Sequence, residues 1–297
     1  MVVVKIFAGL GNQMFQYAFG KGYELKTGGK VFFEANWLED RELQGEDTAR
    51  ELELNVFKAN INFLESSILK SILKRKSIPQ RIAYRILSAL KILNFLEEEK
   101  LFTYDEELFL KFKGISHIQG YFQTESYFKE FREEILKDFK IKNKLSPNST
   151  KYKELIQASN SVCLQVRRRH YVTNPKANKT HDVCGLDYYE RAASHIIDKV
   201  ENPMFFVFSD DLDWVKQQEI TKGAPVTYVS GNIGDFSFED MILMQYCKHN
   251  IIANSSFSWW GAWLNTNKDK IVIAPQKWTT KTETKECSVI PKDWLII

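Results

Sequence analysis

The chain has 297 residues, of which 44% are hydrophobic and 27% are charged, and its formal net charge is +3. This length predicts two domains, and the composition is typical of a packed globular protein rather than a disordered one. A net charge this close to zero gives no reason to expect a nucleic-acid partner.

The N-terminus and the cysteines favour a cytoplasmic protein. Residues 1–7 lack the length and the cleavage site of a signal peptide, and no stretch reaches the ~20 apolar residues of a membrane-spanning helix. The four cysteines are scattered, without CxxC or zinc spacing, and Cys163 and Cys247 are predicted to be buried thiols. We therefore expect neither disulfides nor a metal centre.

The first 34 residues predict a βαβ unit. Residues 2–8 form a short, mostly β-branched apolar run, which is typical of a buried parallel strand. A glycine turn at residues 9–13 leads into apolar residues at helical spacing that end at Gly28, and residues 31–34 form a second strand.

Residues 60–96 predict a basic helical segment. Leu69 to Leu93 holds seven lysines or arginines and no acid, interleaved with apolar residues, and Pro79 divides it into two helices. A strand at residues 116–122 and a helix at 125–139 follow.

Residues 143–150 are the best linker candidate, because Pro147 and several polar residues interrupt the pattern. A second series of strands and helices then begins. Its strands are predicted at residues 161–166, 204–208, 226–229, 250–253 and 271–274, and its helices at 186–200, from 213, at 239–247 and from 257 to 264. The fold class predicted is α/β, with two Rossmann-like domains, residues 1–150 and 151–297, facing across a cleft.

Ligands of such folds bind at the carboxyl ends of the strands, so the segments that follow strands are the candidate sites. The first is the glycine turn, where Gly11 and Asn12 would let backbone N–H groups approach a phosphate. As a dinucleotide fingerprint it lacks the third glycine, although Glu34 ends the second strand as a ribose-binding acid would. A glycine turn without any ligand is the alternative.

The second segment is Arg167, Arg168, Arg169 and His170. Guanidinium groups pair with diphosphate oxygens in bidentate fashion, and such a clamp stabilises the charge that grows as a sugar–phosphate bond breaks. The alternative is a solvated basic turn.

The third segment is Ser209, Asp210 and Asp211, whose side chains can accept hydrogen bonds from a nucleotide or a sugar. A helix N-cap with acids in the first turn explains these residues equally well. Asp211 and Asp213 also match a DxD metal motif, but no histidine or third acid lies nearby in the sequence, so no metal is expected.

The fourth segment combines an amide, hydroxyl groups and backbone N–H groups at a strand-to-helix turn, a suitable cradle for phosphate. Its polar residues are Asn254, Ser255, Ser256 and Ser258. An N-cap explains only one of these serines, and the two tryptophans that follow are expected in the core. Upstream, Asp240 can accept two hydrogen bonds from a guanine edge, or it is simply a first-turn helix acid.

Together these segments resemble the α-1,2-fucosyltransferases, glycosyltransferase family 11. The resemblance is carried by residues 9–18 (GLGNQMFQYA), 206–211 (FVFSDD) and, most specifically, 251–262 (IIANSSFSWWGA). Residues 120–123 (GYFQ) and 186–189 (LDYY) add support.

The resemblance implies a GT-B type enzyme that binds GDP-fucose in its C-terminal half, needs no metal or other cofactor, and inverts the fucose anomeric carbon. The N-terminal half would supply most of the acceptor surface, with Asn12 near the pyrophosphate or the fucose. Arg167 and Arg168 would hold the diphosphate, the polar residues of the fourth segment would line its pocket, and the acids of the third segment and Asp240 would hold nucleotide or fucose.

The arginine motif departs from the family pattern His-x-Arg-Arg-Gly-Asp. Here Gln165 stands in place of the histidine, Arg169 in place of the glycine and His170 in place of the aspartate. Three alternatives follow: His170 accepts the proton, the reaction is dissociative with late deprotonation, or activity is lost or narrowed.

The function expected is transfer of fucose to the 2-hydroxyl of a terminal galactose on a glycan. A catalytically impaired glycan- or nucleotide-binding homologue and a nicotinamide-dependent oxidoreductase are the alternatives. Residues 69–93 can lie on the inner face of an anionic membrane, which would suit a lipid-linked acceptor, or form a solvated helical face.

Overall fold

A computed structural model of the chain describes residues 1–45, 49–168 and 184–297. The chain forms two compact units, Met1–Asn143 and Lys144–Ile297. The main β-sheet of each unit is parallel and packs against helices, which confirms the α/β class predicted from the sequence.

The first unit has four described strands, and helices separate the first three of them. In chain order the elements are β1 Val2–Lys5, α1 Leu10–Thr27, β2 Val31–Glu34, α2 Asn36–Glu39, α3 Arg41–Gln44, α4 Ser67–Lys74, α5 Ile78–Ala89, β3 Leu93–Glu97, β4 Ile115–Gln119 and α6 Arg132–Asp138. The strands are hydrogen-bonded in the order β2-β1-β4-β3, and all three pairings are parallel.

Helix α1 is long and buried along most of its length because it packs against the sheet. It ends at Gly28, which takes the left-handed conformation (φ 68°) and donates its N–H to the carbonyl of Glu24. Glycine adopts this conformation at little cost, which is why it ends so many helices. At Gly22 an added Cβ would collide with the backbone carbonyl of Tyr127, so only glycine allows this close approach.

The second unit carries a six-stranded sheet in the order β12-β9-β8-β5-β6-β7, and every pairing in it is parallel. Strands β10 and β11 form a separate antiparallel pair. In chain order the elements are α7 Pro147–Gln157, β5 Asn160–Val166, α8 Leu186–Lys199, β6 Pro203–Ser209, α9 Leu212–Val215, β7 Val226–Tyr228, α10 Phe238–Tyr246, β8 His249–Ile251, α11 Ser256–Leu264, β9 Val272–Ala274, β10 Lys277–Thr279, β11 Thr282–Glu283 and β12 Leu295–Ile296.

The order of this sheet places a topological switch point between β5 and β8. From β5 the chain proceeds to β6 and β7 on one side, whereas from β8 it proceeds to β9 and β12 on the other. Connections that diverge in this way leave a crevice at the carboxyl ends of the two strands, and α/β proteins bind their ligands there.

The prediction of a helical segment at residues 60–96 is wrong at both ends, because residues 60–66 are not helical and the segment ends in a strand. Helices α4 and α5 form as expected, with Ser77 as the N-cap of α5 and Pro79 in its first turn, but Leu93–Glu97 is the edge strand β3. The side chains of Leu93 and Phe95 lie on the face of the sheet that these helices cover. An apolar run this short does not by itself distinguish a strand from a helix.

The helix predicted at 125–139 is interrupted, and the predicted linker is partly helical. Phe128 leaves the helical conformation (φ −143°) because its ring is buried, so that two short 3₁₀ turns precede α6. Pro147 occupies the first turn of α7, and the hydroxyl of Ser146 accepts a hydrogen bond from the N–H of Ser149 at 3.2 Å. A serine followed by proline therefore marks a helix start here.

The tryptophans of α11 belong to the core, as predicted. Trp259 and Trp260 are fully buried, and the indole N–H of Trp259 donates to the carbonyl of Val289 at 2.7 Å. Cys163 and Cys247 are buried free thiols, which confirms that prediction too. No helix within the described residues is long and apolar enough to cross a bilayer.

Candidate active site

Three of the four segments predicted from the sequence meet at the carboxyl ends of the strands in the second sheet. Strands β8, β5 and β6 are neighbours, and the segments that leave their carboxyl ends carry Asn254, Arg167 and Asp210 respectively. The register aligns Val166 with Ser209, so the arginines and the acids that follow these two residues lie side by side. The switch point between β5 and β8 lies within this group.

Arg167 is held by two neighbours. Its Nε lies 3.6 Å from Oδ2 of Asp210, and its backbone N–H donates to the hydroxyl of Tyr189 at 3.4 Å. The side chains of Arg167 and Asp210 are 27% and 25% exposed, so the pair is half-buried yet open to a ligand.

Arg168 is fixed still more firmly. Its Nη1 donates to Oδ2 of Asp211 at 3.0 Å, and its guanidinium group lies 4.5 Å from the ring centroid of Trp214. The backbone N–H of Arg168 donates to Asp210 Oδ1 at 2.9 Å. Two carboxylates and an indole ring thus orient Arg167 and Arg168, which favours a ligand-binding role for these two residues over a solvated basic turn.

The acids of the third segment do not cap a helix. Asp211 precedes α9 without a side-chain capping bond; its own N–H donates to the hydroxyl of Ser209 at 2.9 Å, and its carboxylate is bound to Arg168. Asp213 points away into solvent, with 90% of its side chain exposed. Within the described parts of the chain, the structure brings no three metal-ligating side chains together.

The polar turn before α11 uses most of its side chains internally. Ser255 is the N-cap, its hydroxyl accepting from the N–H of Phe257 at 3.3 Å, and the buried amide of Asn254 donates to the carbonyl of Trp278 at 3.1 Å. The buried Ser258 hydroxyl donates to the carbonyl of Ala253 at 3.3 Å. What this turn can offer an anion is therefore the amino end of α11, which begins at Ser256, rather than a set of hydroxyl groups.

Asp240 lies in the first turn of α10, where its Oδ1 accepts a hydrogen bond from the amide of Asn232 at 2.8 Å. The pKa of this carboxyl is raised from 3.8 to about 7, mainly by burial; the Asn232 bond lowers it and the charge of the neighbouring Glu239 raises it. A carboxyl titrating near neutral pH is a common feature of binding and catalytic sites.

In the first unit, the glycine turn is occupied by protein groups. The first amide of α1, at Leu10, donates to a carboxylate oxygen of Glu53 at 3.1 Å, and Asn12 Oδ1 accepts from Gln123 at 2.7 Å. Gly11 is buried in this turn. Sequence reasoning missed Glu53, which comes from a segment distant along the chain, and named Gln123 only as part of the motif at residues 120–123. A phosphate at this turn would compete with the Glu53 carboxylate.

Glu34, the candidate ribose-binding acid, is 2% exposed and faces the interior. One carboxylate oxygen accepts from the N–H of Asn36 at 2.8 Å, and the other lies 3.1 Å from Nε2 of His117. Both oxygens are engaged, so the structure gives no support to nicotinamide binding here.

Two predicted residues of the arginine motif, Arg169 and His170, lie outside the described residues. Gln165 is buried in β5, and its Oε1 has no hydrogen-bond partner within the described residues. This side chain takes the place of the histidine in the family pattern.

Comparison with known proteins places the chain in a family. Residues 1–297 match the family model described as glycosyl transferase family 11. The chain belongs to glycosyl transferase family 11. This member is therefore a glycosyltransferase, as expected from residues 251–262 and the other two motifs.

Two Escherichia coli relatives resemble this family 11 chain over nearly their whole length. The O-antigen biosynthesis glycosyltransferase WbnK is 38% identical over 284 residues, which span 91% of this chain and 92% of that protein. An α-1,2-colitosyltransferase is 31% identical over 300 residues, which span 100% of this chain and 99% of that protein.

Among solved structures, an Arabidopsis thaliana FUT1 variant in complex with GDP has the same fold. Its TM-score to this family 11 chain is 0.53 at 14% sequence identity, and the match covers 98% of this chain and 74% of that chain. At this identity the likeness concerns the fold alone.

Proposed function

We propose that this glycosyltransferase transfers fucose from GDP-fucose to the 2-hydroxyl of a terminal galactose, with inversion at the fucose anomeric carbon. The observation that carries the proposal is the pairing of Arg167 and Arg168 with Asp210 and Asp211 at the switch point, beside the amino end of α11. The α-1,2 linkage named for the colitosyltransferase relative supports the regiochemistry.

The arginines stabilise the leaving group. As the bond between the anomeric carbon and the phosphate oxygen breaks, negative charge accumulates on the departing GDP, and the guanidinium groups and the α11 dipole meet that charge. Arg168 has five N–H donors and gives one to Asp211 through Nη1, so others remain for a diphosphate. The two carboxylates reduce the positive charge of the pocket, but they hold the guanidinium groups in place before the donor binds.

The acceptor hydroxyl attacks the anomeric carbon from the face opposite the diphosphate, which inverts the configuration. Its proton passes either to His170 or, late in the reaction, to the departing diphosphate or to water, after the sugar–phosphate bond has largely broken. A bell-shaped pH profile that loses one limb in His170→Asn would assign the proton to this residue. An unchanged profile would assign it to late transfer.

Asp240 recognises the nucleotide base in this proposal. An ionised carboxylate accepts two hydrogen bonds from the N1–H and the exocyclic amine of guanine, whereas a protonated one cannot. Since burial raises the pKa of Asp240 to about 7, GDP should bind more tightly as the pH rises through that value.

The direct test is turnover with purified protein. GDP-fucose and a β-galactoside should yield free GDP and an α-1,2-linked product, which NMR identifies by linkage and anomeric configuration. GDP-colitose should be run in parallel because of the 31% identical relative. Tight GDP binding without transfer of either sugar would favour the impaired homologue, and NADH binding without GDP binding would favour the oxidoreductase.

Metal independence is part of the same proposal. Donor binding by guanidinium groups and helix α11 needs no divalent cation to neutralise the diphosphate. Turnover should therefore persist in excess EDTA, and restoration by added magnesium or manganese after loss in EDTA would contradict this part.

We also propose that helix α5 rests on an anionic membrane surface. Ile78, Ile82, Ile86 and Leu90 follow one another at four-residue intervals, so they form one stripe, and each is between 52% and 72% exposed. Residues 69–93, which include this helix, carry seven lysines and arginines and no acid, a composition that favours contact with anionic headgroups.

Vesicle co-sedimentation tests the membrane proposal. The protein should sediment with vesicles containing phosphatidylglycerol and much less with pure phosphatidylcholine. Ile82→Gln/Ile86→Gln should lose this binding, whereas Leu110→Gln, at a 77% exposed leucine on another element, serves as the control. Equal sedimentation of both variants with wild type would refute the role of the stripe.

A further inference from the structure

The first unit contains a cavity of about 550 Å³ that the donor proposal leaves unused. Its volume lies within the roughly 300–1,000 Å³ typical of small-molecule sites. Among the described residues that line it are five cationic side chains and one carboxylate, that of Glu34. The cations are Lys5, Lys74, Arg75, Arg81 and Arg85.

The floor of the cavity is the face of the sheet under α4 and α5, and this face changes from apolar to polar along the strands. Val3 belongs to the hydrophobic cluster beneath these helices, and Phe32, its partner in register, packs against that cluster. Two residues later the aligned pair is Lys5 and Glu34. A sheet face that turns polar at its carboxyl end indicates a ligand site rather than core.

Lys5 is held in place by the protein rather than left free in solvent. Its Nζ donates to Oε1 of Gln119 at 2.9 Å, and burial lowers the pKa of its ammonium group. An anion placed beside Lys5 would offset the cost of this burial, because an opposite charge stabilises the ammonium form.

Two arginines of the cavity are pre-oriented. The guanidinium group of Arg75 lies 4.9 Å from the ring centroid of Tyr84 and 4.8 Å from that of Phe95. Arg81 donates through Nε to the carbonyl of Arg75 at 3.0 Å, which leaves its terminal nitrogens available. Within the described residues, neither arginine forms a salt bridge.

Buried polar atoms at the cavity wall also lack partners within the described residues. They are Oδ1 of Asn36, the hydroxyl of Tyr84 and Nδ1 of His117, and these residues are 2%, 8% and 1% exposed. Burying a polar group without a hydrogen bond is unfavourable, so native proteins rarely retain one without a use.

We propose that this cavity binds a phosphate or diphosphate group carried by the acceptor. Three arginines offer the forked donors that match phosphate oxygens, and several cations gathered against one carboxylate suit a multiply charged anion better than a single carboxylate. The inference rests on the proposed function only in naming the acceptor as the carrier; the anion site itself is independent of the donor.

Direct binding of inorganic pyrophosphate, measured by isothermal titration calorimetry, tests the site. Arg81→Gln/Arg85→Gln should weaken binding about tenfold or more, since each lost guanidinium removes a charge-assisted contact. Lys58→Gln/Lys140→Gln removes the same charge from exposed positions outside the cavity and should leave affinity nearly unchanged. Glutamine is a good helix former, so α5 should fold normally, which thermal denaturation checks.

Two comparisons make the result decisive. Arg168→Gln changes the proposed donor site in the second unit, so it should not alter the pyrophosphate binding that Arg81→Gln/Arg85→Gln weakens. If Arg168→Gln abolishes that binding and Arg81→Gln/Arg85→Gln does not, the assignment is overturned. Glucuronate should bind much more weakly than pyrophosphate, and equal affinity would also overturn the phosphate assignment. Neither result depends on turnover, so failure here is distinct from failure of the fucosyl-transfer proposal.

Discussion

The carboxyl of Asp240 should make the protein less stable as the pH rises. Burial raises its pKa in the folded protein from 3.8 to about 7. A raised acid pKa means that the ionised form is penalised by folding, so the penalty is absent below about pH 4, grows as the pH rises, and is complete above about pH 7. Its upper limit is about 4 kcal/mol, the free energy that corresponds to the whole change in pKa.

Asp240→Asn removes this penalty and keeps a side-chain oxygen for the Asn232 amide. We expect a gain of about 1–3 kcal/mol in the free energy of unfolding at about pH 8, shrinking towards zero near pH 4. Urea denaturation at both pH values measures it. Asp213→Asn replaces an exposed acid and is the control. Its free energy of unfolding should differ from that of the wild type by the same small amount at both pH values.

The same substitution should weaken GDP binding at pH 8, because a neutral amide cannot accept both guanine hydrogen bonds. A variant that gains stability but loses donor affinity would show that the chain retains an unfavourable buried acid for recognition. A stability difference independent of pH would refute the reasoning about burial. Unchanged GDP affinity at both pH values would refute the role in base recognition.

Three further predictions concern single residues. Arg168→Ala should lower kcat about 100-fold or more and Asp211→Asn less than about tenfold, since only the first removes leaving-group stabilisation; equal, mild losses in steady-state assays would count against these roles. Gly22→Ala should cost about 1–3 kcal/mol in urea denaturation because its methyl group meets a backbone carbonyl, whereas Gly9→Ala, with 3.6 Å to its nearest neighbour, should change stability little. Ser77→Ala should cost about 1 kcal/mol by removing the N-cap of α5, and no loss in the same measurement would mean that α5 does not need this cap.

Local patterns in the sequence were sufficient for much of the secondary structure. The β-branched run at β1, the glycine that ends α1 and Pro79 at the start of α5 each act within a few residues, so their effect can be read without the fold. Helix α8, predicted over 186–200, is observed at Leu186–Lys199 for the same reason. Phe128 and strand β3 were misjudged because packing against distant residues overrides local propensity.

The candidate site, too, could be predicted only in part from the sequence. The sequence by itself determined which residues follow the strands of the second unit, because a change from apolar run to polar turn is a local signal. Only the tertiary structure decided that Arg168 pairs with Asp211 across the β5–β6 register, and that the Ser255 and Ser258 hydroxyls are consumed by backbone groups. The cavity of the first unit draws Lys5, Arg75 and His117 from three separate segments. Such sites depend on contacts between residues far apart in the chain, and no local pattern encodes them.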